Sequence, residues 1–244
     1  MRTFGIDTSH WDGKMDWTIA SARGVKFGIF KLTDFYKYTP SGFVDTQAAN
    51  SWQGTRENGI LNGAWCWLQP KQDPTLQAKF YLDAWNKYPT DMPPILDFED
   101  RNVNTWNDML WRCMTWLEYV EKATGKVPII YTSLGYINSF DRLKRSALQK
   151  YPLWLAQYPL IYSDTKQPSI PYPWTSWLMW QYSDKVEGKF YGGESATVDA
   201  NVFPGSEADM REYFRVTTPP VIPLTLEEQV ADHEKRISAL ELGG

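Results

Sequence analysis

Four acidic residues of this 244-residue chain stand where carboxylate chemistry could be done. Asp97 and Glu99 lie two apart in Pro93-Pro94-Ile95-Leu96-Asp97-Phe98-Glu99-Asp100, at the end of an apolar run. Side chains of a strand alternate with a period of two, so both carboxyls point to the same face. Two carboxyls side by side repel, so one keeps its proton above its ordinary range while the other stays charged. A proton donor beside a charged stabiliser is what glycosidic cleavage asks for. Asp7 follows Gly5-Ile6 near the N-terminus, and Asp199 stands in Val198-Asp199-Ala200-Asn201, late in the chain. On strands of one closed barrel these four acids converge on a single cleft. Two plainer readings stand beside this one. An acid-x-acid pair can do no more than cap the loop that follows it, and the same acids can hold a divalent cation.

Elements able to position such acids are legible as short apolar runs at 4–7, 26–33, 63–68, 94–99, 127–133, 153–158, 177–183 and 198–203. Most are flanked by Gly, Pro, Asn or Ser, as buried strands are. Helices are expected over 45–58, stopped by Gly59, over 75–87, after Pro74, and over 105–124. The last has Leu110, Met114, Leu117 and Val120 at helical spacing and Gly125 as its stop. About eight rounds of this alternation predict an irregular TIM-like (β/α) barrel of eight mostly parallel strands. The last three runs have weak or missing helices between them, so the second half should be the less regular. A doubly wound open sheet is the structural alternative. It is usually announced by a glycine-rich first loop, which Asp7-Thr8-Ser9-His10 is not.

The barrel is expected to occupy 1–216. Thr217-Thr218-Pro219-Pro220-Val221-Ile222-Pro223 reads as a stiff linker. Beyond it Leu226, Val230, His233, Ile237 and Leu240 make a heptad seam, giving a short amphipathic helix over 224–244. That helix either self-associates or joins a further module, or else it packs on its own barrel or is a frayed tail, since isolated helices of this length are marginal.

Hydrophobic residues at 43% and charged residues at 22% describe a folded globular chain. A net charge of -4 gives no basic footprint for nucleic acid, and no apolar run is long enough to span a membrane. Cys66 and Cys113 are far apart and fit neither a disulfide framework nor a zinc pattern, so both are expected reduced and buried. With two histidines, His10 and His233, zinc hydrolysis is disfavoured, and no metal or other cofactor is expected. The 13 Trp serve either as core packing or as sugar platforms. Trp85, Trp106, Trp111 and Trp116 fall on helices and are assigned to packing or surface. Trp65 and Tyr131 are assigned to the cleft, and His10 to hydrogen bonding in the loop near Asp7.

The chain also resembles the lysozymes of glycoside hydrolase family 25, from Gly5 to about Phe203. The resemblance rests on the order and spacing of separated pieces. They are Gly5-Ile6-Asp7-x-Ser9-x-Trp11 with Met15-Asp16-Trp17, Phe30-Lys31-x-Thr33, Gly63-Ala64-Trp65, Leu96-Asp97-Phe98-Glu99, Ile130-Tyr131-Thr132, Leu153-Trp154-Leu155-Ala156-x-Tyr158, Trp180-Gln181-Tyr182 and Val198-Asp199-x-Asn201. It implies an irregular β/α barrel that cuts peptidoglycan between N-acetylmuramic acid and N-acetylglucosamine. Carried over residue by residue, Glu99 matches the general acid. Asp97 matches its partner, which steers the 2-acetamido group or a water, and Asp7 and Asp199 match the two flanking acids. Lys31, Tyr131 and Gln181 match positions that line the cleft, with Trp65, Trp154 and Tyr158 added as substrate-binding candidates. One departure stands out: Trp65-Cys66-Trp67 replaces a Tyr-His-Phe common in the family. Chitinase-like barrels need acids two and five residues before the first of the pair, where this chain has Ile95 and Met92. The alternative function is a barrel without catalysis that holds wall glycan in a phage or wall-associated assembly. The N-terminus lacks the apolar stretch of a signal peptide. The expectation is therefore synthesis in a host cytoplasm and action on the wall as a phage lysin or virion-borne protein, or release by a non-classical route.

Overall fold

A computed structural model describes residues 2–102 and 105–216. The linker and tail helix expected over 217–244 lie outside the described residues. The strands are β1 (Thr3–Thr8), β2 (Phe27–Phe35), β3 (Gly42–Val44), β4 (Leu61–Trp67), β5 (Ile95–Asp97), β6 (Ile129–Ser133), β7 (Leu153–Ala156), β8 (Met179–Glu187) and β9 (Thr197–Phe203). They form one sheet in the order β1-β9-β8-β7-β6-β5-β4-β2-β3, and β1 also pairs with β2, which closes it. The result is an eight-stranded barrel with β3 attached to β2 as a hairpin. Pairing is parallel from β1 through β2, β4, β5, β6 and β7 to β8, and antiparallel for β9 on both its edges.

Alternation along each strand separates two apolar layers. Inside the barrel, Phe27, Ile29, Ile95, Ile129, Trp154 and Met179 pack together. On the outer face Phe30, Ala64, Leu96, Phe98 and Leu155 pack against helices α3 (Pro74–Lys87) and α4 (Trp106–Thr124). Gly5 sits opposite Phe27, and a Cβ there would come 2.4 Å from the Phe27 ring, so glycine makes room for a large inward side chain. Cys66 and Cys113 are free and buried in the outer layer.

The helices start and stop for local reasons. Asp73 caps α3 by accepting from the Leu76 N–H, with Pro74 in the first turn. Thr105 caps α4, and Gly125 ends it in the left-handed region, its N–H bonded to the Glu121 carbonyl. Helix α2 (Ala48–Glu57) follows the hairpin, and a short α1 (Trp17–Ala22), capped by Asp16, precedes β2. Neither α1 nor β3 is apparent in the hydrophobic pattern, because each is too short to show a period. After β6 come only a one-turn α5 (Leu134–Asn138) and a 3-10 run, and no regular helix joins β7 to β8. The second half is irregular as expected. An antiparallel β9 returns from β8 without a crossover helix, whereas parallel neighbours need one. Helix α6 (Glu207–Tyr213) places Met210 in the inner cluster.

Candidate active site

Asp7 is the penultimate residue of β1, and its Cα partner on β9 is Asp199. Because β9 runs antiparallel, the beginning of that strand, not its end, reaches the rim where the parallel strands terminate. Strand β5 ends at Asp97, two residues earlier than the apolar run suggests. The alternation nevertheless continues: the Phe98 N–H bonds the Tyr131 carbonyl and its ring enters the outer layer. Asp97 and Glu99 therefore both turn inward. All four acids line one cleft of about 250 Å³, with Trp65, Tyr131, Trp154 and Gln181. Lys31 and Tyr158 are not among its lining residues. Lys31 is buried in an ion pair with Asp34 at 2.5 Å, and Tyr158 reaches the site through its hydroxyl on Gln181.

The acids differ in their surroundings. Asp7 is held tightly: its Oδ2 accepts from Asn201 Nδ2 at 2.6 Å and from Gln181 Nε2 at 2.9 Å. Asn201 is oriented by Trp154, whose Nε1–H donates to its Oδ1 at 2.8 Å. Gln181 is fully occupied. Its Nε2 also donates to Asp199 Oδ2 at 3.1 Å, and its Oε1 accepts from the Tyr131 and Tyr158 hydroxyls at 2.8 and 2.7 Å. A side-chain amide with two donors and two acceptor sites has nothing left to offer a ligand. Gln181 is thus a clamp between two carboxyls, although it lies on the cleft wall. Asp97 is the opposite case: its Oδ1 is buried and has no hydrogen-bond partner among the described residues.

Burial of so many acids raises their proton affinity. Desolvation lifts Glu99 to about 7, against the Tyr131 hydroxyl, which also reaches it. Desolvation first, and then the charge of Glu99, hold Asp97 well above the ordinary carboxylate range, with Lys31 opposing. Desolvation also raises Asp7 to about 7, against its two amide donors, and Asp199 to about 9, where the charge of Asp7 adds to it. Such a cluster cannot ionise all its members together and keeps protons at neutral pH. Among the described residues no group of three or more His, Cys, Asp or Glu side chains is arranged to hold a metal ion.

Thr8, Ser9, Trp11, Asp12 and Trp67 also line the cleft and were not singled out as site residues from the sequence. Ser9 and Asp12 form a capping box on a 3-10 turn, a pattern visible as Ser-x-x-Asp. His10 has a partner that the sequence did not reveal: its Nδ1 lies 2.6 Å from Asp45 Oδ2.

A family model for glycosyl hydrolases family 25 matches residues 6–189. The chain belongs to this family. It is a glycoside hydrolase. It is 30% identical over 214 residues to the uncharacterized protein YegX of Escherichia coli (strain K12), covering 86% of this chain and 72% of that one. It is 27% identical over 215 residues to lysozyme M1 of Streptomyces globisporus, covering 84% and 68%. The fold matches the solved muramidase from Acremonium alcalophilum with a TM-score of 0.72 at 23% identity, over 88% of this chain and all (100%) of that one. Asp199 lies beyond the stretch that matches the family model. Its place in the family 25 barrel is set by its pairing with Asp7.

Proposed function

We propose that this family 25 enzyme hydrolyses peptidoglycan as a muramidase, cutting the β-1,4 bond between N-acetylmuramic acid and N-acetylglucosamine. The observation that carries this reading is the placement of Asp97 and Glu99 on consecutive inward positions of one strand end, in a cleft walled by indoles. Relatives named lysozyme M1 and N,O-diacetylmuramidase, the latter 23% identical over 208 residues, support the substrate class.

In this reading Glu99 donates a proton to the leaving oxygen. A carboxyl raised to about 7 still carries that proton near neutral pH and releases it readily as the bond breaks. Asp97 works beside it on the wall of the same cleft, where its carboxyl faces the substrate's 2-acetamido group. It either orients the acetamido carbonyl as an internal nucleophile or activates a water, and the configuration of the first-formed reducing end separates these routes. Asp7 and Asp199 flank the pair and set its field, while Asn201 and Gln181 hold them in place.

The test is digestion of purified Gram-positive peptidoglycan, borohydride reduction of the products and identification of the new ends by mass spectrometry. Reduced muramic acid ends, absent with Glu99→Gln, are expected. Reduced glucosamine ends would overturn the bond assignment. No new ends at all would turn the reading to a barrel that binds wall glycan without cutting it.

A further inference from the structure

Trp11 is 80% exposed at the edge of the cleft it lines, and its indole begins a run of rings leading away from that cleft. The His10 ring packs on it with centroids 4.5 Å apart. Phe43 lies edge-on to His10 at 6.4 Å, and Tyr36 tilts against Phe43 at 5.1 Å. The Lys31 ammonium ties this run to the cleft wall, standing 5.2 Å from the Trp65 ring, 5.7 Å from Trp67 and 5.9 Å from Phe43. Tyr36 is the outer member and is 55% exposed.

The backbone beneath these rings is held from two sides. Asp34 and Phe35 pair with Phe43 and Gly42, so the β2–β3 hairpin stands past the last β1 and β4 partners of β2. Gln72, itself buried, donates to the carbonyls of Tyr36 and Lys37 at 2.8 and 3.2 Å. Asp45 accepts from the His10 N–H at 3.1 Å as well as facing its ring. Exposed rings fixed in advance of a ligand cost little ordering when it arrives.

We propose that Trp11, Phe43 and Tyr36 form an outer sugar-binding platform for the part of a glycan strand that leaves the cleft past the β2–β3 hairpin. The inference rests on the muramidase reading. A pyranose offers a flat C–H face ringed by hydroxyls, and an aromatic face with a polar edge is its complement. Continuity fixes the occupant, because Trp11 belongs to both surfaces and a strand lying in the cleft must continue beyond it. The platform adds affinity for long strands and none for fragments that fit within the cleft.

Peptide-free glycan strands of graded length test this, with kcat/KM measured on a tetrasaccharide and on strands several times longer. The parent enzyme should favour the long strands. Tyr36→Ala should reduce that preference about fivefold, roughly the worth of one ring contact, with tetrasaccharide turnover unchanged. Tyr36→Phe, which keeps the ring, should retain the preference. A Tyr36→Ala enzyme with full preference overturns the platform, as does a parent that cuts the tetrasaccharide without favouring length. A parent that cuts neither overturns the muramidase reading, and the platform with it.

Discussion

At the scale of single residues, the carboxyls are distinguished by their neighbours more than by their type. Glu99, raised to about 7 by burial, must be protonated to act as an acid. As pH rises through about 7 that proton is lost, so kcat should fall about tenfold per pH unit above this point. A rate that stays flat from pH 6 to 9, measured by release of reducing ends, would rule out Glu99 as the donor. Glu99→Gln should lower kcat by about 10²–10⁴-fold with the fold retained, as read by circular dichroism. Gln181 makes a different prediction. It bonds Asp7, Asp199, Tyr131 and Tyr158 and has no free hydrogen-bonding position. Gln181→Leu should lower stability by about 1–3 kcal/mol in urea unfolding, because buried polar groups lose their partners. The same change should depress kcat more than it raises KM, since the amide holds carboxyls in place and does not grip substrate. A rise in KM alone would mean that Gln181 binds sugar.

At the scale of elements, strand ends and caps carry the site. Helix α4 packs in the outer layer through Met109, Cys113 and Trp116, and its end depends on Gly125 at φ 67. A Cβ there meets nothing within 4 Å, so Gly125→Ala tests backbone conformation alone. It should cost about 1 kcal/mol in urea unfolding and leave kcat/KM untouched. The strands around the acids were readable because short apolar runs flanked by Gly, Pro, Asn or Ser are a local property. β5 shows the limit of that reading: the run extends to Glu99, but regular pairing ends at Asp97. The inward turn of Glu99 depends on Phe98 finding the Tyr131 carbonyl and the outer layer. The direction of β9 was not readable either, because a strand's own pattern is the same in both orientations.

At the scale of the whole molecule, Asp7, Asp97, Glu99 and Asp199 all hold protons more tightly when folded than their ordinary values of 3.8 and 4.5 allow in an open chain. The folded protein then binds more protons than the unfolded one between about pH 4 and pH 9. By linkage these groups make stability fall as pH rises through that window. The melting temperature should accordingly be lower at pH 9 than at pH 5, and Asp199→Asn, which removes the group raised to about 9, should flatten the alkaline part of the slope. An unchanged slope in that variant would show that Asp199 is charged in the fold. Residue types and short-range spacing were enough to indicate a barrel and its acids, because alternation, caps and acid-x-acid pairs are properties of a few adjacent residues, while the family resemblance came from the order of separated pieces along the chain. The closing partner of Asp7, the clamp made by Gln181 and Asn201, the Lys31–Asp34 pair and the ring run from Trp11 to Tyr36 came only with the tertiary structure. Each but the Lys31–Asp34 pair joins residues remote in sequence, and all of them depend on strand direction, register and side-chain rotamer. Those are decided by how the closed sheet packs as a whole, and no local stretch of sequence encodes them alone.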